Sequence, residues 1–129
     1  MYGYLNRLNA WRKFNDQDEG NLHFIRNPIP MLDPAEVKAF IAAVMPLAPR
    51  LIVIDTLSRC MVGSDENSSK DMGLFVEACA EIQRATGATI MIIHHAGKNG
   101  MGERGSSVLR CACETMIELS KDKSYITLS

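Results

Sequence analysis

Apolar residues recur at spacings of three and four in three stretches of the chain, and this periodicity predicts three helices. Asp33 followed by proline has the chemistry of an N-cap and a first helical turn. Gly87 is expected to end the third stretch. The predicted helices span residues 2–14, 34–47 and 69–85.

Short runs, two of them rich in β-branched residues, predict the strands. Residues 21–25 form one run, whereas residues 51–54 and 89–93 lack polar alternation, as expected of strands buried on both faces. Residues 51–54 are expected to form a central parallel strand. Residues 115–119 and 124–128 flank the charged turn 121–123 and resemble a hairpin. The chain is therefore predicted to be a single α/β domain, with a mainly parallel sheet flanked by helices and a C-terminal β-hairpin.

Length and charge limit the classes of function. The 129 residues are 47% apolar and 22% charged, which is ordinary for one globular domain. Fourteen Lys and Arg residues against fifteen Asp and Glu give a net charge of -1, so no global basic field attracts nucleic acid or membranes. Any contact with DNA is expected to be local.

The cysteine pattern and the length of the apolar runs predict a cytoplasmic, soluble protein. The four cysteines contain no CxxC pair, and the first residues do not resemble a secretory signal. The longest apolar runs fall far short of the roughly 20 residues that a membrane span needs. We therefore expect a reducing compartment and no contact with a membrane.

Asp55 directly follows four apolar strand residues and is the sharpest chemical signal. Ligands of open α/β sheets bind beyond the carboxyl ends of the strands. A carboxylate at this position holds Mg²⁺ in P-loop ATPases, usually through water. The alternative interpretation is that Asp55 caps the turn that follows it.

His94 and His95 follow the next predicted strand, so they are expected at the same sheet edge as Asp55. A histidine there could sense a γ-phosphate or bind a metal. Adjacent residues of a strand point to opposite faces, however, and rarely bind one ion together. A hydrogen-bonded structural pair is the alternative.

Two further patterns are weak on their own. Gly97-Lys98 and the run 104–107 could contact phosphates or a neighbouring subunit, although such loops are more often solvated connections. A zinc site made by His94, His95, Cys111 and Cys113 is also conceivable, but Cys-x-Cys and His-His lack the usual ligand spacing.

Taken together and in this order, these motifs resemble the RepA-like branch of the RecA-fold P-loop ATPases. These are AAA-type proteins of plasmids, phages and mobile elements that include hexameric replicative helicases. The resemblance covers nearly the whole chain and is far more specific than any single motif. The matching segments are residues 21–25, 31–37, 51–57, 63–72, 85–98 and 104–110.

The resemblance implies a Walker B role for Asp55, which with Thr56 would serve ATP and its Mg²⁺. His94 or His95 would couple the γ-phosphate to a loop at residues 96–103 near the channel of a ring, where DNA passes. Arg104 or Arg110 would reach the nucleotide of an adjacent subunit as an arginine finger. The implied assembly is a homo-oligomer.

One element of the family pattern is missing, because the sequence contains no GxxxxGK(S/T). In the family, this P-loop and a strand with the catalytic glutamate precede a helix that resembles residues 4–11 here. Residues 1–129 are therefore expected to be a partial RecA-like domain that begins after the catalytic glutamate. Without the backbone amides and lysine of a P-loop, we expect no ATP hydrolysis by this chain alone.

The missing P-loop strand would leave the edge of strand 89–93 unpaired, and exposed apolar edges recruit partners. We expect residues 89–93 to pair with residues 115–119 or with the same edge of a second molecule. Two functions remain open. The chain is part of a DNA-dependent ATPase, of the replicative helicase type, or it is a non-catalytic remnant or interaction module that associates with itself or with a full-length ring.

Overall fold

The computed structural model describes residues 2–17, 21–95, 107–122 and 125–128. The helices are α1 (Tyr2–Asn15), α2 (Pro34–Val44), α3 (Leu57–Cys60), α4 (Ser69–Thr86) and α5 (Ser107–Ala112). A 3-10 turn, Met45–Leu47, continues α2. The strands are β1 (Leu51–Asp55), β2 (Thr89–Ile93), β3 (Leu119–Asp122) and β4 (Tyr125–Leu128). This mixed α/β architecture, with a parallel pair flanked by helices and a separate hairpin, confirms the predicted fold class.

Local sequence signals account for the ends of the two long helices. The Asp33 carboxylate accepts a hydrogen bond of 2.8 Å from the Ala35 N–H and so caps α2, whose first residue is proline. The Ser68 hydroxyl accepts one of 3.2 Å from the Asp71 N–H at the start of α4. Gly87 ends α4 with a left-handed φ of 70°, which glycine adopts without a steric penalty. The predicted start of α2 and both predicted ends of α4 are confirmed to within one residue, whereas α2 ends at Val44 and the 3-10 turn covers the last three residues of the predicted helix 34–47.

The sheet of β1 and β2 is parallel and is connected through α4. Its register pairs Leu51 with Thr89 and Asp55 with Ile93. The inward face packs on the core, whose centre is the buried stripe of α4. That stripe contains Met72, Phe75, Cys79 and Ile82, at the spacing of a helix that buries one face.

The strand β1 is not buried on both faces, and this prediction was wrong. Leu51 and Val53 are 52% and 51% exposed, whereas Ile54 is buried. The residues alternate because helices cover only one face of the described sheet. β1 and β2 form a two-stranded sheet of their own, so β1 is not a central strand among the described residues.

Residues 21–25 are not a strand, although the composition predicted one. A strand requires a neighbour to satisfy its backbone groups, and the described residues give it no pairing partner. Leu22, Phe24 and Ile25 are each about half exposed. The ring of Phe24 lies 5.7 Å from that of Tyr4 in α1, measured between centroids.

The hairpin is present but shifted towards the C-terminus. β3 pairs antiparallel with β4 from Leu119↔Leu128 to Asp122↔Tyr125, so Lys121 and Asp122 belong to a strand rather than to the turn. Residues 115–118 lie outside any strand. The predicted pairing of residues 89–93 with residues 115–119 is therefore wrong, because the described hairpin is a sheet separate from β1 and β2.

Two short helices were not predicted. α3 follows β1 directly, and α5 packs against α4. Each is six residues or shorter, which is too short for a clear apolar periodicity. No helix in the described ranges is long and apolar enough to cross a bilayer.

Candidate functional site

The parallel register brings the predicted site residues to one edge of the sheet. Asp55 is the last residue of β1 and pairs with Ile93, the last residue of β2. Thr56 and His94 therefore leave the two strands side by side. This is the edge at which open α/β sheets bind ligands, as the sequence predicted.

The carboxylate of Asp55 is exposed and lies at the outer face of the sheet. Alternation along β1 puts it on the same side as Leu51 and Val53, away from the core. Its Oδ2 accepts a hydrogen bond of 3.5 Å from the Tyr4 hydroxyl. This contact joins the Tyr4 side chain of α1 to the candidate site.

Thr56 is the buried polar residue of this edge, with 8% of its surface exposed. Its hydroxyl shares a hydrogen bond of 3.1 Å with the Ser58 hydroxyl, in which either group can donate. The Arg59 N–H donates to the Thr56 carbonyl over 3.1 Å, which starts α3. The hydroxyls of Thr56 and Ser58, one and three residues after Asp55, are therefore hydrogen-bonded to each other.

The two histidines differ in exposure. His94 is half-buried, whereas His95 is exposed. This difference follows the alternation of β2, in which Ile92 packs on the core and Ile93 points with Asp55 to the outer face. Both histidines lie beyond the last residue of β2, at the sheet edge where Asp55 ends β1.

The remaining candidates lie elsewhere or outside the described residues. Arg110 is in α5, which packs against α4, and its side chain is exposed. Arg104, Lys98 and the loop 96–103 lie outside the described residues. The structure thus groups Asp55, Thr56, His94 and His95 at one edge of the sheet and places Arg110 in α5, against α4.

The cysteines are thiols of two kinds. Cys60 and Cys79 are buried in the core, Cys113 is half-buried and Cys111 is exposed. Burial raises the pKa of Cys79 to about 12, with smaller contributions from Cys60 and Cys113. Burial also raises the pKa of Cys60, against the opposing effects of the Ile29 backbone and Arg59. Both buried thiols are therefore protonated and unreactive at neutral pH.

The donor set at the sheet edge fits magnesium better than zinc. Mg²⁺ is commonly held by one or two carboxylates, with water and substrate phosphates completing the shell. The exposed Asp55 carboxylate can supply that protein ligand. Zinc needs three or four convergent ligands, and the described part of the chain contains no group of three His, Cys, Asp or Glu residues that could hold a metal.

Sequence inspection missed Tyr4 and Ser58. Ser58 follows Thr56 at a spacing of two, a local signal that could have indicated the hydroxyl pair. Tyr4 lies 51 residues before Asp55 in the sequence, and only the fold brings the two side chains together. No local pattern in the sequence indicates that contact.

Open α/β sheets bind ligands beyond the carboxyl ends of their strands, and Asp55 lies at such an end. The sequence profile of the AAA domain family matches residues 3–101, which run from α1 past β2. Because this is more than half of the 129 residues, the chain belongs to the AAA domain family, an ATPase-type family. Neither the curated proteins nor the solved structures gave a match.

Proposed function

We propose that the chain contributes the magnesium and sensor edge of a DNA-dependent ATPase, of the RepA-like, replicative helicase type. The observation that carries this proposal is the alignment of Asp55 with Ile93, because the exposed carboxylate and the two histidines then follow the ends of neighbouring strands. Membership of the AAA domain family supports the same chemistry. ATP and Mg²⁺ are the expected ligands.

Each residue has a stated role in this proposal. Asp55 holds the nucleotide-bound Mg²⁺ through water, and the buried Thr56 hydroxyl orients the turn that carries it. His94 or His95 responds to the γ-phosphate. Arg104 or Arg110 stabilises charge on the nucleotide of a neighbouring subunit, which requires a homo-oligomer.

Residues 1–129 do not contain the phosphate-binding part of such a site. GxxxxGK(S/T) is absent from the sequence, and its backbone amides and lysine supply most of the contacts to the β- and γ-phosphates. We expect no ATP turnover by these residues alone. Turnover that disappears in Asp55→Ala would contradict this expectation.

Paramagnetic broadening of amide signals tests the site even when binding is weak. Mn²⁺-ATP, a substitute for Mg²⁺-ATP, is expected to broaden the amide signals of Asp55, Thr56 and the two histidines. Asp55→Asn removes the charge without changing the shape of the side chain, and should weaken the apparent affinity about tenfold or more. Glu114→Gln is the matched control, since Glu114 is exposed and lies in no proposed site.

Two outcomes would refute the proposed site. One is equal broadening in Asp55→Asn and the unaltered chain. The other is broadening centred on the acidic loop around Asp65 and Asp71, because this would show that Mn²⁺-ATP prefers another cluster of carboxylates.

An interaction module is the second candidate function. It is favoured by the outer face of the sheet, where Leu51, Val53 and Met91 are 52%, 51% and 42% exposed. An apolar face of this kind commonly marks a protein contact. In this case the chain would form a stable dimer or larger assembly by light scattering, and Mn²⁺-ATP would cause no broadening at Asp55.

A further inference from the structure

The Asp55 carboxylate has a hydrogen-bond donor that no motif of the sequence indicates. The Tyr4 hydroxyl donates to its Oδ2 over 3.5 Å, and both side chains are exposed. Among the described residues, Tyr4 is the side chain that bonds to this carboxylate. An ionised carboxylate offers about four acceptor positions. Tyr4 therefore takes one of them and leaves the others open to solvent or to a ligand.

The ring of Tyr4 is held from a second side. It lies 5.7 Å from the ring of Phe24, measured between centroids, at an interplanar angle of 44°. Aromatic pairs at such separations attract each other beyond the effect of the area that they bury. Phe24 belongs to the segment that joins α1 to α2. The Tyr4 ring is thereby restrained, although half of its surface is exposed.

The hydrogen bond from Tyr4 to Asp55 is long. The two oxygens of an O–H···O bond usually lie about 2.5–3.0 Å apart, against 3.5 Å here. None of the described side chains of α1 is buried, so no packed core fixes this helix against small shifts. Hydrogen bonds in sites without a ligand are often long and shorten when the ligand binds. The contact therefore has room to tighten when the carboxylate takes up a cation.

We propose that Tyr4 is a positioning residue for the cation of the candidate nucleotide site. Its hydroxyl holds Oδ2 of Asp55, so that the remaining acceptor positions of the carboxylate are kept for the water of a bound Mg²⁺. Carboxylates that bind metals are themselves hydrogen-bonded, and the partner fixes their orientation. The inference rests on the proposed function for the identity of the cation, and it adds α1 to the elements that build the site.

Tyr4→Phe removes the hydroxyl and keeps the ring beside Phe24. The loss of one hydrogen bond is expected to weaken the apparent affinity for Mn²⁺-ATP about two- to tenfold, which is less than the loss expected in Asp55→Asn. The affinity is read from the broadening of the Thr56 and His94 amide signals as Mn²⁺-ATP is added. Because Tyr4 is exposed, the helix content in circular dichroism and the midpoint of thermal unfolding should not change.

Tyr125→Phe is the matched control. It removes the same atom from β4, which belongs to the separate sheet of β3 and β4. Its affinity for Mn²⁺-ATP should equal that of the unaltered chain.

Isotope-labelled tyrosine rings give a second measurement, which a purely structural role of Tyr4 would not affect. The chain contains three tyrosines, and the ring signals of Tyr4 are identified by their absence in Tyr4→Phe. Mn²⁺-ATP should broaden these signals, because paramagnetic broadening falls steeply with distance and the hydroxyl contacts Asp55. The broadening at a given concentration of Mn²⁺-ATP should fall in Asp55→Asn.

Three results would overturn the inference. They are an equal affinity of Tyr4→Phe and the unaltered chain, an equal loss in Tyr125→Phe, and tighter binding by Tyr4→Phe. The last result would show that the hydroxyl competes with the cation for Oδ2. Any of these results together with normal broadening at Asp55 rejects the role of Tyr4 and keeps the nucleotide site. Broadening that is absent from Asp55 in the unaltered chain rejects the site, and the role of Tyr4 with it.

Discussion

Cys79 is the residue whose ionisation most clearly opposes folding. It lies in the stripe of α4 that packs on the core, and burial raises the pKa of its thiol from 9.0 to about 12. A raised thiol pKa means that the folded state disfavours the anion. The resulting contribution to stability is complete below pH 9 and is lost as the pH rises towards 12.

We therefore predict that the free energy of unfolding falls above pH 9 by up to about 1.4 kcal/mol per pH unit because of Cys79 alone. Urea unfolding at several pH values measures this loss. Tyrosines and lysines titrate in the same range, so the quantity to compare is the difference between the unaltered chain and Cys79→Ala. Parallel curves for the two proteins above pH 9 would show that Cys79 is not the cause.

The position of Asp55 could be predicted from the sequence, whereas its contact with Tyr4 could not. The carboxylate of Asp55 was predictable because four apolar residues precede it and place it at the end of a strand. Its hydrogen bond to Tyr4 was not predictable, because it depends on where α1 packs. Site residues from one element can be found by pattern, whereas contacts between distant elements require the fold.

At the scale of elements, two glycines of opposite requirements belong to α4 and its C-terminal cap. Gly87 ends the helix at a φ of 70°, whereas Gly73 lies inside it. A Cβ at either position would meet no atom within 4 Å. Only the backbone conformation therefore decides the effect of a substitution.

We predict that Gly87→Ala destabilises the fold by about 1 kcal/mol, because alanine is strained in the left-handed conformation. Gly73→Ala is predicted to stabilise it by about 0.5–1 kcal/mol, because alanine loses less backbone entropy in a helix. Thermal unfolding of both variants measures the two changes. The same sign for both would contradict the assignment of Gly87 as the cap.

The elements that could be predicted are those whose ends are marked by residues in the local sequence. Asp33 and Pro34 begin α2 in the sequence as they do in the structure, and Gly87 ends α4. Residues 21–25 have the composition of a strand, but composition cannot supply the neighbour that a strand needs. The sequence predicted the hairpin but not its register. The register depends on which residues of the two strands pair, and Asp122 pairs with Tyr125, with two residues between them in the chain.

In the whole molecule, the outer face of β1 and β2 leaves apolar side chains in contact with water. Leu51, Val53 and Met91 are 52%, 51% and 42% exposed. Association with another protein surface would remove part of this face from water.

The free edge of β2 supplies a direct test of association. The Thr89 N–H donates to the Arg50 carbonyl over 3.0 Å and so faces β1. In a parallel ladder the backbone groups alternate sides, so the amides of Met91 and Ile93 also face β1, and those of Ile90 and Ile92 face away from it.

We predict that hydrogen exchange at Ile90 and Ile92 slows as the protein concentration rises, because an edge-to-edge dimer would bond these amides. Thr89 and Met91 serve as internal controls, since β1 already protects them at every concentration. Exchange at Ile90 and Ile92 that is fast at all concentrations would exclude this edge as the dimer contact. Light scattering on the same samples gives the oligomeric state.

The parallel pairing of β1 with β2 also determines when the candidate site can exist during folding. Asp55 and His94 come from strands separated by the whole of α4, so they become neighbours only after that helix has formed and β2 has docked beside β1. Contacts this distant in sequence cost loop-closure entropy and tend to form late. A nucleotide would therefore bind only to fully folded molecules, and its addition should shift the folding equilibrium towards them.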